Sequence, residues 1–234
     1  MFDHRLRSTS ARFLDPVAAR VPAAVSPLLI SGVGVAAGLG AAFAAAAGLV
    51  VVSLGAWFVN RLADGLDGAV ARRRGRASDI GGYLDIVGDM TVYVAVVLGV
   101  AIGVDERSTW IAAAVLLGSF TINTISWAHL AALLEGRGAG AAHNGETTSV
   151  TMPAGLVEGA ETIVWYTLLL AVPSLAPWWM GTMAAATLAG AALRVRAGTA
   201  RLRALDADRH DAGGAAVDVD LDVRSVPREA VRRS

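Results

Sequence analysis

The sequence predicts an all-α polytopic membrane protein, with six transmembrane helices preceded by an N-terminal amphipathic helix that lies on the membrane surface. Of the 234 residues, 55% are hydrophobic and 17% are charged, which is too apolar for an ordinary soluble domain of this length. The apolar residues form long, nearly uncharged segments, and one helical crossing needs about 20 such residues. Most charged residues lie in short stretches beside these segments.

Residues 1–22 are predicted to form the interfacial helix and the cytoplasmic N-terminus. Apolar residues recur there at helical spacing opposite the arginines, at Leu6, Phe13, Val17 and Val21. Pro22 is expected to end this helix, because proline lacks the amide proton that a helix interior needs.

The six-helix domain is predicted to span residues 23–204. Residues 25–63 are almost uncharged and about twice as long as one crossing, so we expect two helices with a break near Ala47 and Gly48. The second of these helices is expected to continue to about Arg73. The four remaining apolar segments cover residues 80–103, 109–134, 154–172 and 178–195. Residues 205–234, rich in Asp, Ala, Gly and Arg, are predicted to be a disordered cytoplasmic tail.

The placement of arginines predicts the orientation in the membrane. Short cytoplasmic loops are enriched in positive residues. In the six-helix arrangement, one side holds nearly all the arginines outside the helices, at the N-terminus and at residues 72–76, 137 and 194–209. The opposite loops hold only Arg107. Both termini and the charged stretch around residue 75 are therefore predicted to lie on the cytoplasmic side of an inner or plasma membrane.

The overall charge and the missing cysteines narrow the classes of partner and ligand. The 20 basic and 20 acidic residues give a net charge of zero, so no global positive field indicates nucleic-acid binding. Because the chain has no cysteine, a bound metal would need oxygen or histidine ligands.

The stretch DGLDGAVARRRGRASDIGGYLDIVGD, residues 64–89, places four aspartates beside apolar segments. Asp64 and Asp67 share one face of the second helix, at i and i+3, and Asp85 and Asp89 share one face of the third, at i and i+4. If the two helices pack as an antiparallel hairpin, the four carboxylates converge. Such a cluster calls for divalent cations, and all-oxygen ligation suits Mg²⁺, Mn²⁺ or Ca²⁺, with enough carboxylates for two ions.

Small residues beside the aspartates indicate a ligand site. Gly68, Ala71 and Gly81 leave the helix surfaces bare, and Arg72 offers a bidentate partner for a phosphate. Metal ions, an arginine and a bare helix face together are typical of a site for a diphosphate.

This pattern resembles the signature of the CDP-alcohol phosphatidyltransferases, with matching residues and spacing from Asp64 to Asp89. The resemblance implies a CDP-linked lipid donor, such as CDP-diacylglycerol, whose phosphatidyl group passes to an alcohol hydroxyl with release of CMP. It also implies that the four aspartates bind two Mg²⁺ or Mn²⁺ ions and that Asp89 is the general base. Gly68, Ala71, Arg72 and Gly81 would line the CDP pocket, and a homodimer is expected. The segment Ser26-Pro27-Leu28-Leu29-Ile30-Ser31 departs from the Pro-Asn-x-x-Thr-like stretch of many relatives.

The acceptor alcohol is not fixed by the signature. At the start of the fifth helix, Glu158 and Glu161 share one face, where two carboxylates would repel a phosphate and favour an unphosphorylated acceptor. In the alternative, these glutamates pair with Arg137, Arg194 or Arg196 and only join helices. The same arginines keep a phosphorylated acceptor open. The candidate acceptor residues are therefore Glu158, Glu161, Arg137 and Arg194.

Two other functions are compatible with acidic residues in a membrane protein. A UbiA-like prenyltransferase also uses aspartates and Mg²⁺, but it predicts two motifs on non-adjacent helices, whereas this sequence has one constellation. A non-enzymatic cation transporter would not explain the small residues beside the aspartates, and the sequence shows no internal repeat typical of transporters.

Overall fold

The computed structural model describes residues 14–139 and 159–224, with side-chain positions as far as residue 207. All regular structure in these two ranges is helical. A short helix, α1, covers residues 14–20. The longer helices are α2 (Pro27–Ala46), α3 (Val50–Arg73), α4 (Asp79–Val104), α5 (Arg107–Gly136), α6 (Gly159–Ala171) and α7 (Ala176–Arg224), with a 3₁₀ turn, Pro173–Leu175, before α7.

The helix boundaries follow from local capping and turn residues. Ser26 caps α2 by accepting a hydrogen bond from the Leu29 amide at 3.2 Å, with proline at the first helical position. Ser78 caps α4 in the same way through the Gly81 amide at 3.1 Å. Gly48, at φ +71°, lies in the break between α2 and α3, where a left-handed conformation favours glycine. The break predicted near Ala47 and Gly48 and the end of the second helix at Arg73 are confirmed.

Three helices, α2, α4 and α5, are long and apolar enough to cross a membrane within the described parts of the chain. α3 carries three charged residues near its middle, Arg61, Asp64 and Asp67, and α6 has only 13 residues. The helical segments on either side of Val172 meet at a bend of 109°, and together they would make a fourth, broken span. By length and composition, the structure thus supports three or four spans, and six crossings stay a prediction.

α2 is the centre of the N-terminal half. It packs extensively against both α3 and α4, whereas α3 and α4 make almost no backbone contact with each other. Close approach of α2 and α4 depends on small residues: a Cβ at Gly99 would lie 2.3 Å from the Ala42 carbonyl oxygen. α3 and α4 therefore meet through side chains, such as those of Arg61 and Asp89, while the backbones of both helices pack on α2.

The C-terminal half is built on the pairing of α5 with α7, and α6 joins it to α3. The largest core lies where the two halves meet. Its fully buried side chains include Trp57, Val96, Leu116, Tyr166 and Met180. This core fixes the position of α3 and α4 relative to the later helices.

α1 lies against the ends of α2 and α3. Ala18 is buried in a cluster with Ile30 and Val70, while Val17 is 48% exposed. Arg74, just after α3, donates hydrogen bonds to the carbonyls of Val21, Pro22 and Val25 at 2.6–3.0 Å. The helical residues stop before Pro22, as the sequence predicts. Placement in the membrane interface stays a prediction.

The predicted boundary near residue 205 does not coincide with a change in secondary structure. α7 continues as one helix to Arg224, through much of the segment that the sequence predicts to be a disordered tail. Up to Arg224 the segment has no proline to end the helix, but its paired glycines and its aspartates do not favour helix, so its composition does not account for the continuation. The division of the chain at residues 22 and 204 stays a prediction.

Candidate active site

The four aspartates of the motif come together from two helices. Asp64 and Asp67 are on α3, and Asp85 and Asp89 are on α4. Every pair of these carboxyl groups is close enough to interact electrostatically. Asp67 is buried, Asp85 is exposed, and the side chains of Asp64 and Asp89 are 32% and 29% exposed. The cluster is therefore half-open to its surroundings, as a site for a ligand must be.

α2 contributes a hydroxyl to this cluster. Ser31 donates a hydrogen bond to the Asp67 carboxylate across the contact between α2 and α3. The sequence identified Ser31 only as a departure from the stretch found in many relatives. The structure gives it a partner among the aspartates.

Arg61 is a functional candidate that the sequence analysis missed. Its side chain is 7% exposed, and it lies one turn before Asp64 on α3. Nη2 donates to Oδ1 of Asp89 at 2.7 Å, and Nη1 lies 3.6 Å from Oδ2 of Asp64. The signal in the sequence was a single arginine at i−3 from the first aspartate, inside an otherwise apolar half of the helix.

Neighbouring side chains hold Asp89 and Arg61 together. The Tyr93 hydroxyl accepts a hydrogen bond from Arg61 Nη1 at 3.0 Å and lies 3.3 Å from Oδ2 of Asp89, to which it donates. Both carboxylate oxygens of Asp89 therefore have partners. Asn60 accepts hydrogen bonds from Arg61 Nε and Nη2 at 2.8 and 2.7 Å, and it donates one to the Gly34 carbonyl on α2 at 2.9 Å.

The small residues of the motif leave helix surface open beside the aspartates. A Cβ at Gly68 would meet only the guanidinium of Arg72, at 3.0 Å from Nη1, and one at Gly81 would meet only the Ser78 hydroxyl, at 3.4 Å. Packing within the chain therefore does not require either glycine. Arg72 is exposed and its guanidinium lies over Gly68, while Ala71 is half-buried.

The described candidate acceptor residues lie in two places: Arg194 and Arg137 between α5 and α7, and Glu161 between α6 and α7. Arg194 on α7 is 7% exposed and donates from Nη1 to Asn123 Oδ1 at 2.8 Å and to Ser126 Oγ at 3.1 Å, both on α5. Arg137 instead pairs with Asp206 at 2.7 Å, at the C-terminal end of α5. Asn123 and Ser126 therefore form hydrogen bonds between α5 and α7.

Glu161 lies at a cavity between α6 and α7. The cavity has a volume of about 490 Å³ and is walled by apolar and aromatic side chains, including Val164, Trp165, Leu168 and Trp179. Glu158 lies outside the described residues, so the predicted pair of glutamates is represented by Glu161 alone.

Comparison with known proteins decides the family. Residues 24–191 match the sequence model of the CDP-alcohol phosphatidyltransferases, a range that covers more than half of the chain. The chain belongs to the CDP-alcohol phosphatidyltransferase family. It is thus a member of a family of transferases, and its apolar helices agree with a membrane protein.

Two curated relatives share part of the chain with this phosphatidyltransferase. The inner membrane protein YnjF of Escherichia coli K12 is 40% identical over 137 residues, which are 57% of this chain and 59% of the relative. The archaetidylinositol phosphate synthase of Methanothermobacter thermautotrophicus is 31% identical over 100 residues, 43% of this chain and 50% of the relative. The matches thus span only about half to three-fifths of each relative's length.

Solved structures share the fold of this phosphatidyltransferase at low sequence identity. The phosphatidylinositol phosphate synthase of Mycobacterium tuberculosis with bound CDP-DAG has a TM-score of 0.60 and 21% identity, covering 83% of this chain and 94% of that one. The same enzyme with manganese and citrate has a TM-score of 0.59 and 20% identity, covering 82% and 88%. One member with this fold has therefore been seen with a divalent metal.

The donor groups at the aspartate cluster fit a hard divalent cation by their chemistry. They are four carboxylates on two helices, and Mg²⁺ and Mn²⁺ prefer oxygen ligands. However, no three His, Cys, Asp or Glu side chains within residues 14–139 and 159–224 are already arranged as a metal site. The contacts of Asp89 with Arg61 and of Asp67 with Ser31 explain this, since both carboxylates are turned to partners within the chain.

Proposed function

We propose that this member of the family transfers a phosphatidyl group from a CDP-linked lipid, such as CDP-diacylglycerol, to an alcohol hydroxyl and releases CMP in phospholipid biosynthesis. The observation that carries the proposal is the meeting of Asp64, Asp67, Asp85 and Asp89 beside open glycine surfaces. The structure of a relative with bound CDP-DAG supports the choice of donor.

The four aspartates are proposed to hold two Mg²⁺ or Mn²⁺ ions. Bound there, such ions would neutralise the negative charge of the donor diphosphate and of the departing CMP. Asp67 is the most buried of the four, and Asp85 is the most exposed, so the cluster reaches from the protein interior to the open side.

Asp89 is proposed to act as the general base. It would accept the proton of the acceptor hydroxyl as the oxygen attacks phosphorus, a role that needs a carboxylate one hydrogen bond from that proton. Arg61 and Tyr93 each contact one oxygen of this carboxylate, so its orientation is set by the chain itself.

The donor pocket is proposed to lie between α3 and α4. Gly68, Ala71 and Gly81 would let the nucleotide approach the helix backbones, and Arg72 would contact the diphosphate. The absence of close packing between these helices supports this, because the pocket needs room there.

Two classes of acceptor alcohol are proposed, one that carries a phosphate and one that does not. Arg194, oriented by Asn123 and Ser126, favours an acceptor that carries a phosphate, and the archaetidylinositol phosphate synthase relative supports this class. Glu161, with Glu158, favours an unphosphorylated alcohol, because carboxylates repel phosphate. Arg137, at the C-terminal end of α5, would contact the phosphate of the acceptor from farther away than Arg194.

The reaction is tested by incubating purified protein with CDP-diacylglycerol, Mn²⁺ or Mg²⁺ and a panel of acceptors. The panel contains inositol phosphate, glycerol phosphate, inositol, glycerol, serine and ethanolamine. We expect metal-dependent release of CMP with one class of acceptor, and complete loss of release when a chelator removes the metal. A lack of CMP release with every acceptor would contradict the proposal, and activity unchanged by the chelator would contradict the metal centre.

The predicted membrane arrangement is part of the proposal. It has six crossings, with both termini and the aspartate cluster on the cytoplasmic side, in a homodimer. Since the chain has no cysteine, single cysteines can report the side of each loop. We expect Arg76→Cys and Ser108→Cys to react with a membrane-impermeant thiol reagent from opposite sides, and labelling of both from one side would contradict the arrangement.

The proposed homodimer is tested separately, by light scattering of the detergent-solubilised protein, which measures the oligomeric state.

A further inference from the structure

Arg61 is a buried charge held by hydrogen bonds within the chain. Its side chain is 7% exposed, and its four hydrogen bonds go to Asn60, which accepts two, and to Tyr93 and Asp89. A charged group within an apolar bundle is retained only when it is paired or serves a function. The partner that carries a full opposite charge at hydrogen-bonding distance is Asp89, which belongs to the aspartate cluster.

Aromatic rings fix the guanidinium from its faces. The centre of the guanidinium lies 4.8 Å from the Trp57 ring and 5.3 Å from the Tyr93 ring, within the range of cation–π attraction. Tyr166 stacks on Trp57 with ring centroids 5.3 Å apart and donates a hydrogen bond to the Tyr93 carbonyl at 3.1 Å. Trp57 and Tyr166 are fully buried, so this group of rings cannot easily rearrange. Arg61 therefore keeps its position at the edge of the cluster.

We propose that Arg61 is a positioning residue that acts as a fixed counter-cation of the aspartate cluster, restraining Asp89 and setting the affinity of the cluster for divalent cations. This inference rests on the proposed function, because it assumes that the aspartates bind metal. Four carboxylates at one place repel one another, and one fixed positive charge relieves part of that repulsion when no metal is bound. The same charge repels an incoming Mn²⁺ or Mg²⁺ and holds back a carboxylate that would bind it. Metal loading is thereby kept reversible.

The test measures Mn²⁺ affinity of the purified full chain without lipid donor, from the electron paramagnetic resonance signal of free Mn²⁺. Arg61→Gln removes the charge and keeps a polar side chain. We expect its Kd for Mn²⁺ to fall about tenfold, because a nearby positive charge is lost. We also expect a lower melting temperature in chelator and a larger rise on adding Mn²⁺ than in the wild type. If the Arg61–Asp89 ion pair only stabilised the fold, Arg61→Gln would bind Mn²⁺ more weakly than the wild type or with the same Kd.

Arg74→Gln is the matched control. Arg74 follows the same helix and donates to backbone carbonyls of residues 21, 22 and 25, away from the aspartates. Its loss removes one positive charge and three hydrogen bonds, yet we expect a Kd for Mn²⁺ within about twofold of the wild type, because distant charges are screened. A tenfold tightening in this control as well would overturn the assignment to Arg61.

An unchanged or weakened Mn²⁺ affinity in Arg61→Gln would overturn the proposal. If this variant folds only when Mn²⁺ is present, the proposal is supported, since the metal then replaces the missing counter-cation. If it does not fold in either condition, Arg61→Lys decides. This variant keeps the charge, so a Kd for Mn²⁺ within about threefold of the wild type supports the proposal and a tenfold change overturns it.

The failure of this proposal can be told apart from the failure of the proposed function. Tight Mn²⁺ binding without CMP release would contradict the transferase reaction alone. CMP release with unaltered Kd in Arg61→Gln would contradict the role of Arg61 alone.

Discussion

The aspartate cluster between α3 and α4 and the arginine contacts between α5 and α7 both carry charge into an apolar bundle, but they balance it differently. In the first region, four carboxylates lie near one buried cation, Arg61, which contacts Asp64 and Asp89. In the second, Arg194 and Arg137 have polar or acidic partners on the neighbouring helix, with Asp206 matching the charge of Arg137. An excess of negative charge thus remains only at the first region, among the residues compared. This difference supports the proposal that the cation binds at the aspartates of α3 and α4, and that the α5–α7 contact orients residues and joins helices.

The largest expected effect is at Asp89. Asp89→Asn keeps the size of the side chain but removes a proposed metal ligand and base, so we expect CMP release to fall by about 10²–10⁴-fold. Asp79→Asn, in the exposed first turn of α4, is the control and should retain activity within a few-fold, as expected for an exposed residue. The measurement is CMP release at saturating donor, acceptor and Mn²⁺. Activity of Asp89→Asn near the wild-type level would break the contrast between the two regions, since the cluster would then not be the reacting site.

A smaller effect is expected at Arg194, where the second region approaches the proposed acceptor. Arg194→Gln should raise the KM for a phosphorylated acceptor about tenfold, as hydrogen bonds to charged groups contribute about 1.5–3 kcal/mol, and leave the KM for the donor unchanged. Arg201→Gln is the control, because it also removes an arginine from α7, two turns further along, whose side chain donates to the Ala139 carbonyl. If Arg194→Gln lowers the melting temperature but leaves both KM values unchanged, the region serves helix packing alone.

Gly68 tests whether the open helix surface at the first region is a pocket. Gly68→Leu should fold, because its Cβ would meet only the flexible end of Arg72, but the KM for the CDP-linked donor should rise about tenfold, as overpacking costs about 1–3 kcal/mol. Gly55→Leu on the same helix has no atom within 4 Å of its Cβ position and is the matched control. Equal donor KM values for the two variants would show that Gly68 does not border the donor.

The sequence predicted the helices of this protein better than their packing. Long apolar segments and glycine breaks define α2 to α5 to within a few residues, because both act locally. The signature also grouped the aspartates from Asp64 to Asp89, which the structure brings together, while their role as a metal site stays a prediction. It did not reveal that the backbones of α3 and α4 make almost no contact, since neighbours in sequence need not pack closely, and α2 lies against both. Arg61 was missed for the same reason: its partners Asp89 and Tyr93 are about 30 positions away and meet it only in the folded chain.

The smallest expected effect is at Ser31, where α2 touches the first region. Its hydroxyl donates to Asp67, the most buried of the four aspartates, so it holds one carboxylate as Arg61 holds another, but without a charge. Ser31→Ala should therefore change Mn²⁺ affinity and CMP release by only a few-fold, because a neutral hydrogen bond contributes about 1 kcal/mol net. Ser31→Thr keeps the hydroxyl and should behave as the wild type. An effect of Ser31→Ala as large as that of Asp89→Asn would mean that the orientation of Asp67, rather than the summed charge of the cluster, limits metal binding.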